Sequence, residues 1–331
     1  MRHVGDLARH SFSFDLMRIV FCGTGDIGTP ALRALLDSEK HEVCAVITQP
    51  DKPAGRDMKP RASAIKLLAL ERGIPVEQPV RLRSEESVAA LRAWNPDVVV
   101  VVAYGQLLSP EVLAIPKLAC LNLHASLLPR HRGASPIQAA ILSGDADTGI
   151  TVMYMDEGLD TGDILLEERF AILPTETAGE LHDRLATVAA PALFRALDLL
   201  ESGKAPRIPQ DPALATHASK MKKTDGWLDW QQPAAKLALR VRAMSPWPGA
   251  YARWGDHLLK IHEAAACEAN GPAGEILESG NDGLRVAAGT GSLRLITVQL
   301  EGRKRLNAGE LLRGFPMPVG TSFDLSFPPA A

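Results

Sequence analysis

The sequence predicts an α/β chain: a doubly wound, mostly parallel sheet followed by a small OB-like β-barrel. Three observations carry this. Strand-like and helix-like stretches alternate as far as Gly203. The run Val98 to Val102 is five consecutive valines, which suits a strand buried on both faces. Beyond residue 220 the texture changes to short strands with Gly and Asn turns, the pattern of a small barrel.

The elements follow in order. Residues 18–23 read as a strand, 30–38 as an amphipathic helix and 43–48 as a second strand. Residues 62–72 read as helix, with Ile65, Leu67, Leu68 and Leu70 apolar. The helix 84–94 has Ser84 as cap and Glu85 and Glu86 in its first turn. Strand 97–103 follows, and the apolar run 117–121 reads as the end of another buried strand. Such alternation predicts right-handed crossovers, with ligands bound at the carboxyl ends of the strands. Residues 177–202 form a long helical pattern closed by Gly203, a suitable C′ residue. The segment 204–219 holds Pro206, Pro209 and Pro212 and reads as a surface linker. Strands are then expected at 251–254, 258–262, 284–288 and 293–299, and helices at 233–244 and 307–313. No internal repeat is visible. The expected division is a disordered leader 1–16, a catalytic domain 17–203, the linker 204–219, a C-terminal barrel 220–323 and a tail 324–331.

Composition narrows the setting. A chain of 331 residues suits two domains, and 46% apolar content is ordinary for a globular protein. No apolar run approaches the roughly 18 residues a membrane helix needs, so no membrane partner is expected. Cys22, Cys44, Cys120 and Cys267 are scattered without a CxxC pair. That argues against a zinc site and a disulfide framework, and points to a reducing cytoplasm. The leader carries Arg2, His3, Arg9 and His10 but no signal-peptide core, and Met17 is an alternative start. Net charge is −3, from 36 basic and 39 acidic residues. Residues 217–320 hold 14 Lys and Arg against 10 Asp and Glu, a local +4 that hints at a polyanionic partner.

The chemistry concentrates in two segments. In Asn122-Leu123-His124-Ala125-Ser126-Leu127-Leu128-Pro129, Asn122 and His124 are two apart and share one face of an extended chain. One is an amide that can donate to a developing oxyanion, the other a ring that moves protons near neutral pH. Met155-Asp156-Glu157-Gly158-Leu159-Asp160-Thr161-Gly162-Asp163 adds carboxylates in a Gly-punctuated turn, with Asp163 read as structural. Amide, imidazole and carboxylate together suit acyl transfer to an amine. His131, flanked by Arg130 and Arg132, is expected on the surface. A competing motif, Gly23-Thr24-Gly25-Asp26-Ile27-Gly28, matches the dinucleotide fingerprint. The second strand ends Ile47-Thr48-Gln49-Pro50 without the acid that should bind the ribose, so NAD is not expected.

Asn122-x-His124-x-Ser126-Leu127-Leu128-Pro129-x-x-Arg132-Gly133, followed by Leu159-Asp160-Thr161-Gly162-Asp163, resembles the 10-formyltetrahydrofolate-dependent formyltransferases. Gln49-Pro50-Asp51-Lys52-Pro53-Ala54-Gly55-Arg56, Ser245-Pro246-Trp247-Pro248-Gly249 and the opening at Met17 narrow the resemblance to the members that act on methionyl initiator tRNA. It spans about residues 17–323. It implies Asn122, His124 and Asp160 as catalytic residues, with Asp160 favouring the imidazolium form of His124. It implies a Rossmann-like catalytic domain and 10-formyltetrahydrofolate as formyl donor, without metal. The donor would be lined by Ser126, Leu127, Leu128 and Pro129 and walled by Tyr104, Gly105, Gln106 and Leu107. A loop with Lys52, Arg56, Lys59 and Arg61 would meet the tRNA acceptor stem, and Lys220, Lys222, Lys223, Arg303, Lys304 and Arg305 would form a second, less specific contact. The loop departs from the pattern after Arg56, where Asp57 lowers the local positive charge. Two other classes fit in part: a formyltransferase acting on a small amine such as an amino-sugar nucleotide, and a non-catalytic binding protein on a nucleotide-binding scaffold.

Overall fold

A computed structural model of the chain describes residues 16–54, 59–281 and 283–326. Arg56, nearly all of the expected leader and the last five residues of the tail lie outside them. The chain divides into two compact units, residues 1–120 and 121–331.

The first unit runs β1 (Met17–Gly23), α1 (Thr29–Leu36), β2 (His41–Ile47), β3 (Lys52–Ala54), β4 (Lys59–Arg61), α2 (Ala64–Glu71), β5 (Val76–Glu77), α3 (Glu85–Ala93), β6 (Val98–Val102) and α4 (Pro110–Leu113). β1 pairs in parallel with β2 and β6, and β2 with β5. Every valine of β6 is buried, as a strand covered on both faces requires. Ser63 and Ser84 cap α2 and α3 by accepting from the N–H groups of Lys66 and Ser87. β5 is only two residues long, too short for a periodic signal. The glycine-rich turn after β1 is tied to the end of β2. The Thr24 hydroxyl accepts from the Gln49 N–H (3.1 Å) and from the Thr48 hydroxyl (3.3 Å).

β7 (Ala119–His124) carries the chain into the second unit. β8 (Arg132–Gly133), α5 (Pro136–Ser143), β9 (Asp147–Tyr154), β10 (Ile164–Ala171), α6 (Ala178–Glu201) and β11 (His217–Ala218) follow. β9 is antiparallel to both β7 and β10. A capping box of Thr177 and Glu180 starts α6. The remaining elements are α7 (Ala234–Ala243), β12 (Ala250–Trp254), β13 (His257–Cys267), β14 (Ile276–Gly280), β15 (Gly283–Ala287), β16 (Ser292–Leu300), β17 (Leu306–Asn307) and α8 (Ala308–Gly314). Six of these strands form an antiparallel sheet, in the order β12-β13-β16-β15-β14 with β17 paired to β16, consistent with an OB-like domain. β13 is longer than its pattern suggests, and register shifts at Ile261/Glu263 and Glu263/Ala264 interrupt its alternation. β14 buries Ile276 as its single fully enclosed apolar side chain, which leaves little pattern to read. Trp230 and Phe323 close the core with ring centroids 5.1 Å apart.

Candidate active site

β7 runs through His124 itself, so Asn122 and His124 stand on one face of a paired strand, opposite Met153 and Thr151 of β9. Both are buried, at 8% and 6% exposure. A two-residue period inside a ladder fixes their relative direction far better than a loop would.

Asp160 organises this pair. Its Oδ1 accepts from Asn122 Nδ2 at 3.2 Å, and its Oδ2 accepts from the Gly133 N–H at 2.8 Å. The same Oδ2 lies 3.5 Å from His124 Nδ1. Asp160 takes φ of +55°, a left-handed backbone conformation that side chains seldom adopt. The other ring nitrogen, His124 Nε2, donates to the His131 carbonyl at 2.9 Å. A carbonyl only accepts, so Nε2 carries a proton in this arrangement. One N–H of the Asn122 amide is held by Asp160, which fixes the plane of the amide. The constellation therefore offers an oriented amide donor, an imidazole bonded at Nε2 with its Nδ1 facing Asp160, and a carboxylate beside both.

His131 departs from expectation. It is 4% exposed, and its Nε2 is 2.6 Å from Asp145 Oδ2. Its N–H donates to the Thr216 hydroxyl at 2.8 Å, and its φ is +60°. The flanking arginines suggest a solvated turn. The carboxylate of Asp145, fourteen residues on, makes burial affordable instead, and Arg130 reaches the same carboxylate at 2.5 Å.

The residues expected around the formyl donor fall in both units. In the second, Ser126 Oγ donates to the Arg130 carbonyl (2.7 Å), closing the turn that holds Leu127, Leu128 and Pro129. The buried Thr151 hydroxyl donates to the Ser126 carbonyl (2.7 Å) and accepts from the Leu128 N–H (3.1 Å). Leu127, Leu128 and Pro129 also line a cavity of about 460 Å³ with Asp145, Glu167 and Arg169. In the first unit Tyr104 is buried, its hydroxyl is unpartnered among the described residues, and burial pushes the phenol up. Its carbonyl accepts from Gln49 Nε2 at 2.7 Å. Gly105 has φ of +78°, and a Cβ there would stand 2.7 Å from Gln49 Nε2. Gln106 accepts from the Leu82 N–H at 3.0 Å, and Leu107 is 65% exposed.

Among the cations, Lys52, Lys59 and Arg61 are exposed on the antiparallel ribbon β3–β4, and Arg56 lies outside the described residues. The ribbon's base is anchored by Asp51, which accepts from Lys66 Nζ and Gln78 Nε2, both at 2.8 Å. These bonds hold the Asp51 carboxyl below its ordinary range. Lys220, Lys222, Lys223, Arg303, Lys304 and Arg305 are also exposed. Among the described residues no group of His, Cys, Asp and Glu could hold a metal, and no helix is long and apolar enough to cross a membrane.

The segment 204–219 holds residues that sequence reasoning passes over. Ile208 bridges Ile164, β11 pairs in parallel with β8, and the Arg132 N–H donates to the Thr216 carbonyl at 2.9 Å. Gln210 bonds Arg132 and the Asp160 loop. Prolines without periodicity gave no signal for this.

Residues 17–197 match the formyl transferase family model, and residues 220–316 match the model of the formyl transferase C-terminal domain. A methionyl-tRNA formyltransferase of Citrifermentans bemidjiense is 46% identical over 304 residues, covering 92% of this chain and 95% of that protein. One of Magnetococcus marinus is 49% identical over 304 residues, covering 92% and 97%. Among solved structures, the sugar 3N-formyl transferase WlaRD, determined with dTDP and 5-N-formyl-THF, shares the fold with a TM-score of 0.64. That likeness covers 87% of this chain and 99% of that one at 16% identity.

Proposed function

The chain belongs to the methionyl-tRNA formyltransferase family, and from that premise we propose that it transfers the formyl group of 10-formyltetrahydrofolate to the α-amine of methionyl initiator tRNA. The single observation that supports this most is the Asp160 carboxylate holding Asn122 and His124 on one strand face. The donor supplies a formyl group bound to nitrogen. The amine forms a new C–N bond at the formyl carbon, the bond to the folate nitrogen breaks, and one proton passes from the amine to that nitrogen. Asn122 donates its second amide N–H to the formyl oxygen as negative charge develops there. Such a donor contributes about 100- to 1000-fold in rate. His124 stabilises the same charge and moves the proton. Asp160 keeps both oriented.

Residues 17–203 are the catalytic domain, 220–323 the OB-like tRNA-binding domain, and 204–219 the connection. The matches at 17–197 and 220–316 support this division. Ser126 to Pro129 line the folate. Lys52, Lys59 and Arg61 of the β3–β4 ribbon, together with Arg56, meet the acceptor stem, and the cations at 220–223 and 303–305 meet the tRNA backbone. The place of action is the cytoplasm. Relatives named for methionyl-tRNA at 46–49% identity over nearly the whole chain favour this acceptor over a small amine.

The test is direct. The purified chain, 10-formyltetrahydrofolate and charged initiator tRNA should yield N-formylmethionyl-tRNA, while an amino-sugar nucleotide should be a poor acceptor. Turnover on the small amine alone would overturn the reading, and folate binding without any turnover would replace it with a binding protein.

A further inference from the structure

We propose that Gln210 is a positioning residue for the reaction, an amide clamp that sets the backbone of Asp160 against the loop carrying His131. The inference rests on the formyl-transfer reading above.

All the hydrogen-bonding capacity of this side chain is used. Gln210 Oε1 accepts from Arg132 Nε at 3.0 Å and from Arg132 Nη2 at 2.7 Å. Gln210 Nε2 donates to the Asp160 carbonyl at 2.9 Å and to the Gly162 carbonyl at 2.7 Å. A guanidinium only donates and carbonyls only accept, so the amide has a single orientation here and no other side chain of its length reproduces it.

The two ends of the clamp matter for different reasons. Asp160 is held at φ of +55°, and its side chain gathers Asn122, His124 and the Gly133 N–H. A non-glycine residue persists in that conformation only when its surroundings over-determine it. The Gln210 bond to its carbonyl is one such constraint. At the other end Arg132 follows His131, whose carbonyl receives His124 Nε2, and His131 itself has φ of +60°. The catalytic imidazole therefore faces one loop at Nδ1 and another at Nε2, and Gln210 bonds both. The rest of the segment reinforces this. The Thr216 hydroxyl accepts the His131 N–H, and Arg207 lies over the Tyr154 ring at 3.7 Å, at the end of β9. The stretch between the domains is thus part of the active site's support. Gln210 has no need to touch the reacting atoms.

Two isosteric variants test it in the full-length protein. Gln210→Glu keeps the partner for Arg132 and loses both donations to the carbonyls. Gln210→Met keeps length alone. In each, kcat on initiator tRNA should fall about 10- to 100-fold, as small misplacements of catalytic groups do, with KM for tRNA and formyl donor within about twofold. The loss should vanish in an Asp160→Ala background, because both changes disturb one unit. The side-chain amide NMR signals of Asn122 should move in Gln210→Glu. Wild-type kcat in Gln210→Glu, or losses that multiply fully with Asp160→Ala, would overturn the proposal. Should Gln210→Glu not fold, Gln210→Asn, an amide one methylene too short, is judged by the same criteria. A wild-type protein inactive in formyl transfer would sink the proposed function. Unmoved Asn122 amide signals in Gln210→Glu would sink the clamp.

Discussion

Asp160 joins an amide, an imidazole and a backbone N–H through one carboxylate, and its own backbone is strained to do so. Removing either partner should separate chemistry from folding. Asn122→Ala and His124→Ala should each lower kcat about 100- to 1000-fold while tRNA affinity and melting temperature change little. Steady-state kinetics beside thermal melts check this, and near-normal turnover in either variant rules out its role. Gly133 is a different case. It has φ of +118°, and a Cβ there would stand 2.6 Å from the Ala218 carbonyl, where β11 pairs with β8. Gly133→Ala should destabilise by about 2 kcal/mol or more and reduce turnover through the Asp160 contact. Denaturant unfolding gives the first quantity, and a wild-type midpoint would show that the pairing yields without strain.

At the scale of elements, the short strand β11 matters more to the site than its two residues suggest, because it fixes the turn that presents the His131 carbonyl. The barrel carries its own titration. Burial holds the His262 ring below the ordinary imidazole value of 6.5, opposed by its bond to Gln299 and aided by nearby Arg305 and Lys260. The folded state then binds fewer protons than the unfolded chain across that window. This contribution to stability is complete above the ordinary imidazole value and is lost as pH falls through the lower folded value. The melting temperature of the wild type should therefore drop between about pH 7 and pH 5 more than that of His262→Gln. Parallel pH dependences in the two proteins would show that His262 does not contribute.

For the whole molecule, the chain is acidic overall while residues 217–320 carry a basic excess. Neutralising Arg303, Lys304 and Arg305 together should weaken tRNA binding broadly and reduce the salt slope by roughly 2 to 3. Arg56→Ala should instead lower kcat/KM on initiator tRNA and leave most of the salt slope. Filter binding across a salt series distinguishes them, and an unchanged slope in the triple variant would make those cations a solvated face only. Much of this was legible beforehand. Strand and helix alternation, the valine run and the spacing of Asn122 and His124 are local patterns, and local periodicity dictates which face a side chain takes. The burial of His131 was not legible, because it depends on Asp145 and Thr216 arriving from elsewhere in the chain. Nor was the role of Gln210, which sits among prolines with no period to betray it. Sequence alone determined the alternating α/β order, the shared strand face of Asn122 and His124, and the family. Tertiary structure alone decided which distant groups hold that face in place, because hydrogen bonds between segments far apart in sequence leave no trace in local composition or spacing.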